Sequence, residues 1–449
     1  MTDLLTSIQA ALELPASTPD FTESGALPSA FAVTELASAS LAAVGEAVAE
    51  LLRQQTGQNP GVSVDRRLAS FWFASSLRPI GWNLPEPWDP IAGDYATADG
   101  WIRLHTNAPH HRAAAERVLG PAGDRAAMAE LVARWNKGEL EQAIVDSGGC
   151  AAEMRTWDDW KNHPQGLAVN AEALIQRSTD DDPQPRAWSG STTQPLAGVR
   201  VLDLTRILAG PVASRMLAGL GAEVLRIDPP HWEEPSLVPE VTRGKRCARL
   251  DLHDSADRRV FDRLLGEADI LLHGYRADAL ERLGYAAQHR RQLSPGLIDV
   301  SLNAYGWSGP WRNRRGFDSL VQMSCGIAQA GMHWKPAQVP TPLPVQALDH
   351  GTGYLMAATA IRALTERLHS GRGGSARLSL ARTAKLLLEQ GTAHDPQPLR
   401  RETSRDRSTW VEYTAWGPAH RLIPPLNIEG TPLHWRLPAT KLGKHPPQW

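Results

Sequence analysis

The chain is poor in cysteine. Cys150, Cys247 and Cys325 stand far apart among 449 residues, with no CxxC pair and no metal-ligand spacing. An odd, scattered set argues against a disulfide framework and fits a reduced compartment. Net charge is also small, because 47 Lys and Arg against 49 Asp and Glu leave −2. No global basic field draws nucleic acid or an anionic membrane, so any anion site must be built locally. No apolar run approaches the ~20 residues that cross a bilayer. The opening MTDLLTSIQAALELP carries two acids and no basic stretch, which does not read as a signal peptide. A cytoplasmic location is the expectation.

Nucleotide and metal motifs are missing too. The turn after the first clear strand runs from Asp203 to Pro211 without GxGxxG, and neither GxxxxGK[ST] nor HExxH occurs. A nicotinamide enzyme, a P-loop nucleotidase and a zinc protease are all disfavoured. His110 and His111, beside Pro109, read as a solvated helix start rather than as metal ligands. No metal and no resident cofactor are expected.

What is there describes a soluble globular protein, 42% hydrophobic and 21% charged, long enough for two or three domains. The polar, proline-bearing stretch from Gln176 to Pro195 reads as an exposed linker. After it, at 196–449, Val199–Leu204 and Glu223–Ile227 read as strands around a helix over Pro211–Leu220 that stops at Gly221. Such a βαβ unit implies a parallel sheet. Further strands are expected at Ile270–Leu272 and Leu297–Leu302, with a helix over Ala256–Glu267. The fold class is α/β, with a doubly wound, largely parallel C-terminal sheet domain.

Residues 1–175 read as a smaller α+β domain. An alanine-rich helix, Ala32–Gln55, is stopped by Gly57. A hairpin spans Asp94–Leu104 with its turn at Asp99-Gly100, and short helices come after it at Arg112–Leu119 and Ala126–Trp135. One internal echo stands out: Glu35 precedes Gly57 by the same spacing that separates Asp349 from Gly371. Two amphipathic helices of equal length by chance, or the remnant of a duplication, both account for it.

A series of motifs then points to a family. The run PLAGVRVLDLTRILAGPVASRMLAGLGAEVLRID (Pro195–Asp228) is succeeded in order by TRGKRCARLDL, HGYRADALERLGY, SLNAYGWSGP, GFDSLVQ, ALDHGTGYLMAATAIRAL and SGRGG. This series resembles the family III CoA-transferases, which include formyl-CoA transferase, carnitine CoA-transferase and methylacyl-CoA racemase. YATADGWIRL and CAAEMRTWDDWKNHPQG resemble the family's small domain, and PATKLGKHPPQW resembles its C-terminus. In the family the small domain comes after the large one. Here it comes first, as in a rearranged or partly deleted tandem in which Glu35 stands where a first copy's aspartate stood.

The resemblance implies a role for each of several residues. Asp349 matches the catalytic aspartate; by spacing alone it is a helix N-cap, and a helix start keeps a carboxylate ionised for attack. Backbone N–H groups at Gly351 and Gly353 would stabilise oxyanions. Leu250, Gly274, Tyr275 and Arg282 would line the CoA nucleotide site, with His253 and Arg315 beside them. Leu208 stands where formyl-CoA transferase has a glutamine. Phe317 stands where that enzyme has tyrosine and the racemase its histidine base, and phenylalanine accepts no proton. The implied partners are acyl-CoA and a small carboxylic acid, with a homodimer suggested by the family's interlocked dimers. The alternative is a non-catalytic acyl-CoA-binding or partner subunit of the same descent.

Overall fold

The computed structural model describes residues 2–274, 276–391 and 397–449. Seven strands build the main sheet: β1 (Gln176–Thr179), β2 (Arg200–Asp203), β3 (Glu223–Asp228), β4 (Lys245–Arg249), β5 (Ile270–His273), β6 (Ile298–Asn303) and β7 (Gly374–Ser379). Their order is β4-β3-β2-β5-β6-β7-β1. Neighbours from β4 to β7 are all parallel, and β1 is antiparallel to β7. Strands β5 and β6 are buried along their whole length, as expected when helices cover both faces of a parallel sheet. The chain fills the sheet outward from β2 to β4, then returns to β2's other side with β5. The strand order therefore reverses between β2 and β5. In open α/β sheets the crevice at the C-terminal ends of those strands is where ligands bind.

Five helices frame this crevice or brace the elements that do: α1 (Val33–Thr56), α2 (Pro109–Leu119), α3 (Ala209–Gly219), α4 (Asp318–Ser324) and α5 (Ala347–Ser370). Both α1 and α5 are 24 residues long and end on glycines in the left-handed region, Gly57 at φ 75° and Gly371 at φ 76°. Every residue of α1 from Val33 to Leu52 is buried, and two of its buried glutamates are paired, Glu35 with Arg66 and Glu50 with Arg53. Most of the others are apolar or small, as befits a helix inside a protein. Small side chains are what permit this. Added to Gly351, a Cβ would meet Leu36 of α1 at 3.2 Å, and at Gly353 one would meet the Ala209 carbonyl of α3 at 2.3 Å. Helix α5 is thus clasped between α1 and α3.

The hairpin forms as expected, but Thr97 pairs with Gly100, so the turn residues are Ala98 and Asp99. With Ala151–Glu153 it makes a three-stranded antiparallel sheet. Its own small core includes Ile91, Tyr95, Ile102, Met128 and Ile144.

Two expected boundaries differ. Half-buried Gln176–Arg177 and the next two residues of the expected linker are β1, paired with Gly374–Arg377; the exposed connection begins only after Thr179. The leading residues do not belong to the small domain. Val62–Val64 pair with Leu426–Ile428, and Leu77–Pro79 pair with Ala419–Arg421, so the first eighty or so residues knit into the chain's C-terminal part. Short strands with few alternations give little sign in sequence of so distant a partner. Among the described residues no helix is long and apolar enough to cross a membrane.

Candidate functional site

The β2–β5 reversal carries a cavity of about 320 Å³. Loops at the C-terminal strand ends supply most of its wall: Leu204–Ile207 after β2, Gly274 and Arg276 after β5, and Leu302–Ala304 at the end of β6. Arg314 to Phe317 and Asp349 close one side, and His110 and His111 reach in from α2 of the small domain. The site therefore draws on residues from both sides of the exposed connection that follows Thr179.

Ile207 holds the left-handed conformation, φ 66°. A β-branched residue there is strained and must be held by its surroundings. Glu234 does this, accepting from the Ile207 N–H at 2.8 Å and from Trp232 Nε1 at 3.1 Å. Glu234 is itself fixed by Arg226, which also binds Asp228 through two N–H groups at 2.9 Å. Beside it Lys245 bonds Asp203 and the Pro211 carbonyl. Buried charges persist only when paired and hydrogen-bonded. This lattice fixes the strand ends that aim the loop.

Asp349 is not the N-cap. Helix α5 begins at Ala347 after the cap residue Gln346, which puts Asp349 third in the first turn. The capping acceptor is Asp318, whose Oδ2 takes the N–H groups of Leu348 at 2.9 Å and Asp349 at 3.0 Å. These are two of the free donors every helix start must satisfy. Burial and then the Asp318 charge push the Asp349 carboxyl well above the ordinary carboxylate range. Burial raises Asp318 to about 6, with the Asp349 N–H bond opposing it. The expectation that the helix start alone keeps Asp349 ionised is therefore corrected: Asp318 takes up those donors.

Gly351 and Gly353 do not face the cavity. Both lie inside α5 against Leu36 and Ala209, where backbone N–H groups bond within the helix, so neither is available to an oxyanion. Leu208 precedes α3 with its side chain in the main core, and its neighbours Ile207 and Ala209 line the cavity instead. Leu250 is buried in a second cluster beneath the sheet. His253 is exposed in a turn closed by Asp251. Arg282 is 65% exposed and paired with Asp278. None of these three lines the cavity, whereas Gly274, Arg315 and Phe317 do. Tyr275 lies outside the described residues.

Several residues escaped the sequence reading. Arg276 sits on the cavity six positions before Arg282, in the same motif. Burial and the nearby Arg315 lower its affinity for its proton. Arg206 also lines the cavity, its guanidinium 4.7 Å from the Trp232 ring centre. His111, read as solvated, is only 4% exposed. Burial, then His110 and Arg315, lower its imidazole to about 3, so it is neutral. His105 stacks on Phe317 at 3.8 Å and is likewise lowered to about 3 by burial.

The sequence profile of CoA-transferase family III matches residues 196–444. An acyl-CoA transferase of Gibberella moniliformis is 27% identical over 347 residues, 72% of this chain and 60% of its own length. A probable fatty acyl-CoA transferase of Mycobacterium tuberculosis is 32% identical, over 41% of this chain and 50% of the relative. A crystal structure of the latter covers 44% of this chain and 56% of its own, with a TM-score of 0.41 and 32% identity. A succinyl-CoA–D-citramalate CoA-transferase of Chloroflexus aurantiacus is 31% identical, over 40% of this chain and 48% of the relative. The chain spans about half the length of the curated relatives it matches.

Proposed function

The chain belongs to CoA-transferase family III, and from that membership we propose that it moves CoA between an acyl-CoA thioester and a free carboxylic acid, with Asp349 as covalent relay. The observation that carries the reading is the carboxylate of Asp349 on a cavity that also collects Arg206, Arg276 and Arg315. Guanidinium groups are the residue type suited to the phosphates of CoA. Arg276 and Arg206 replace Arg282 in that role, since they line the cavity and Arg282 does not.

In the relay, an Asp349 oxygen attacks the thioester carbonyl and the C–S bond breaks, giving a mixed anhydride and CoA thiolate. The thiolate attacks the aspartyl carbonyl, forming an aspartyl-CoA thioester and releasing the first acid as carboxylate. The acceptor carboxylate then attacks that thioester, and the two steps run in reverse. Thioester energy is conserved throughout, so no nucleotide is consumed. Asp349 attacks as the anion, and its raised affinity for a proton makes deprotonation a step of the cycle.

The test is exchange between a panel of acyl-CoAs and free acids, scored by mass. Asp349→Asn removes the nucleophile with almost no change of shape, so exchange should fall by about 10³-fold or more while folding is retained. Hydroxylamine added during turnover should leave a hydroxamate on the peptide containing Asp349. Acceptor acid labelled with oxygen-18 should pass one label to that carboxylate. Full exchange by Asp349→Asn would sink the covalent relay.

A further inference from the structure

His111 is costly as a mere packing residue. It sits in the first turn of α2, 4% exposed, with its ring centre 5.8 Å from that of Phe317. Neither Nδ1 nor Nε2 has a hydrogen-bond partner, although both are buried. A buried imidazole with an unmet donor and an unmet acceptor is destabilised relative to an apolar ring of similar size. Phenylalanine would fill the space without that cost. An unpartnered polar side chain on a cavity wall calls for a ligand.

Arg315 gives the ligand its sign. It lines the same cavity, donates one N–H to the Gly148 carbonyl at 3.0 Å, and has no carboxylate partner among the described residues. Its charge is felt at both His110 and His111. A plain alkyl chain would satisfy neither residue. A hydroxyl would satisfy His111 and leave Arg315 without a counter-ion. A carboxylate offers one oxygen to each, as a charge-assisted bond to the guanidinium and an acceptor for the imidazole N–H.

We propose that His111 and Arg315 bind a second carboxylate carried by the acyl group, so that this site selects dicarboxylic half-thioesters over simple acyl chains. The assignment rests on the reading that the cavity receives the acyl group. It gives the small domain a direct part in specificity, because His111 belongs to that domain and Arg315 is anchored to it through Gly148.

Equilibrium binding separates this proposal from turnover. Dissociation constants are measured for butyryl-CoA, 3-hydroxybutyryl-CoA and succinyl-CoA on wild type, His111→Phe and Arg315→Gln. Wild type should bind succinyl-CoA at least tenfold tighter than butyryl-CoA, with 3-hydroxybutyryl-CoA between them. His111→Phe should collapse the ratio toward one, with butyryl-CoA affinity unchanged within about threefold, and Arg315→Gln should weaken succinyl-CoA at least tenfold more than it weakens butyryl-CoA. His111→Gln, which keeps an N–H donor, should restore part of the preference, and a melting curve on each variant reports folding. No preference in wild type, a preference for the hydroxyl over the carboxylate, or equal loss of both ligands in His111→Phe would overturn the proposal. Loss of CoA exchange with the binding preference intact would instead count against the transfer reading alone.

Discussion

Asp349 and Asp318 share one buried space, and hydrogen bonds decide which of them carries the charge. The N–H groups of Leu348 and Asp349 both point at Asp318, so the first ionisation belongs chiefly to Asp318 and the second is opposed by that charge. Both carboxyls are raised in the fold, Asp318 from 3.8 to about 6 and Asp349 well above its ordinary value. Raised groups stabilise the fold fully below their unfolded values and lose that contribution as pH climbs through the folded ones. Stability should therefore decline as pH rises from about 4 through 6 and beyond. Asp318→Asn keeps an amide oxygen for the same two N–H groups and removes the neighbouring charge. It should flatten part of that decline and move the acid limb of the rate–pH profile to lower pH. Chemical denaturation across pH and initial-rate measurements check both, and an unmoved limb would show that Asp318 does not govern the charge of Asp349. Asp349, Gly274, Arg315 and Phe317 could be read from contiguous motifs. Asp318 could be read only as a neighbour of Phe317, because its partner lies 31 residues away, and His111 had no signal because the Phe317 ring it faces lies far off in the sequence.

Among the elements, α1 and α5 explain why so much of the sheet domain was legible and so little of the helix clasp. The strands β2, β3, β5 and β6 are short apolar runs bounded by turn residues, and each lies within a residue or two of its expected place. Alanine and glycine in α1 and α5 report helix length and ends, but they do not say which helix lies alongside. The matched lengths and caps of α1 and α5 extend the echo between Glu35 and Asp349 to the level of geometry. Their leading acids differ in setting, since Glu35 pairs with Arg66 at 2.8 Å while Asp349 faces the cavity. The clasp makes an asymmetric prediction for two glycines two residues apart. At Gly353 an added methyl would strike the backbone carbonyl of Ala209, which cannot step aside without moving α3. Gly353→Ala should cost about 1–3 kcal/mol as overpacking and disturb exchange, since α3 continues directly from the cavity loop. At Gly351 the obstacle is the flexible end of Leu36, and alanine's better helix propensity, up to about 1 kcal/mol, offsets the crowding. Urea midpoints for the two variants distinguish these outcomes, and equal destabilisation would mean that α5 is not held against α3 as described.

For the molecule as a whole, chain order and spatial order part company. Residues before the linker reach past it to make sheet with residues at the far end: Val62–Val64 with Leu426–Ile428, and Leu77–Pro79 with Ala419–Arg421. Helix α1 buries its length in the core shared with α5. Arg67 is paired with Asp406, and Arg78 with Glu402 at 2.9 Å. By contrast, Asp181 to Ala187 are exposed, and what joins the halves there is little more than the covalent bond, a hydrogen bond from the Gln184 N–H to the Gly371 carbonyl at 2.6 Å and an Arg186–Asp269 pair. Cutting the chain in that stretch puts at most the Gln184–Gly371 hydrogen bond at risk, so the two pieces should stay together. A specific protease site placed between Asp182 and Pro185 allows the experiment on the folded protein. After cleavage, the pieces should elute as one species at the size of the intact chain and keep CoA exchange within about twofold, since the cavity needs His111 from one piece and Asp349 from the other. They should separate only in denaturant, with the buried α1–α5 contact as the main hold. Two species under native conditions, or one piece active without the other, would show that the chain is two independent domains on a tether rather than one interlocked body.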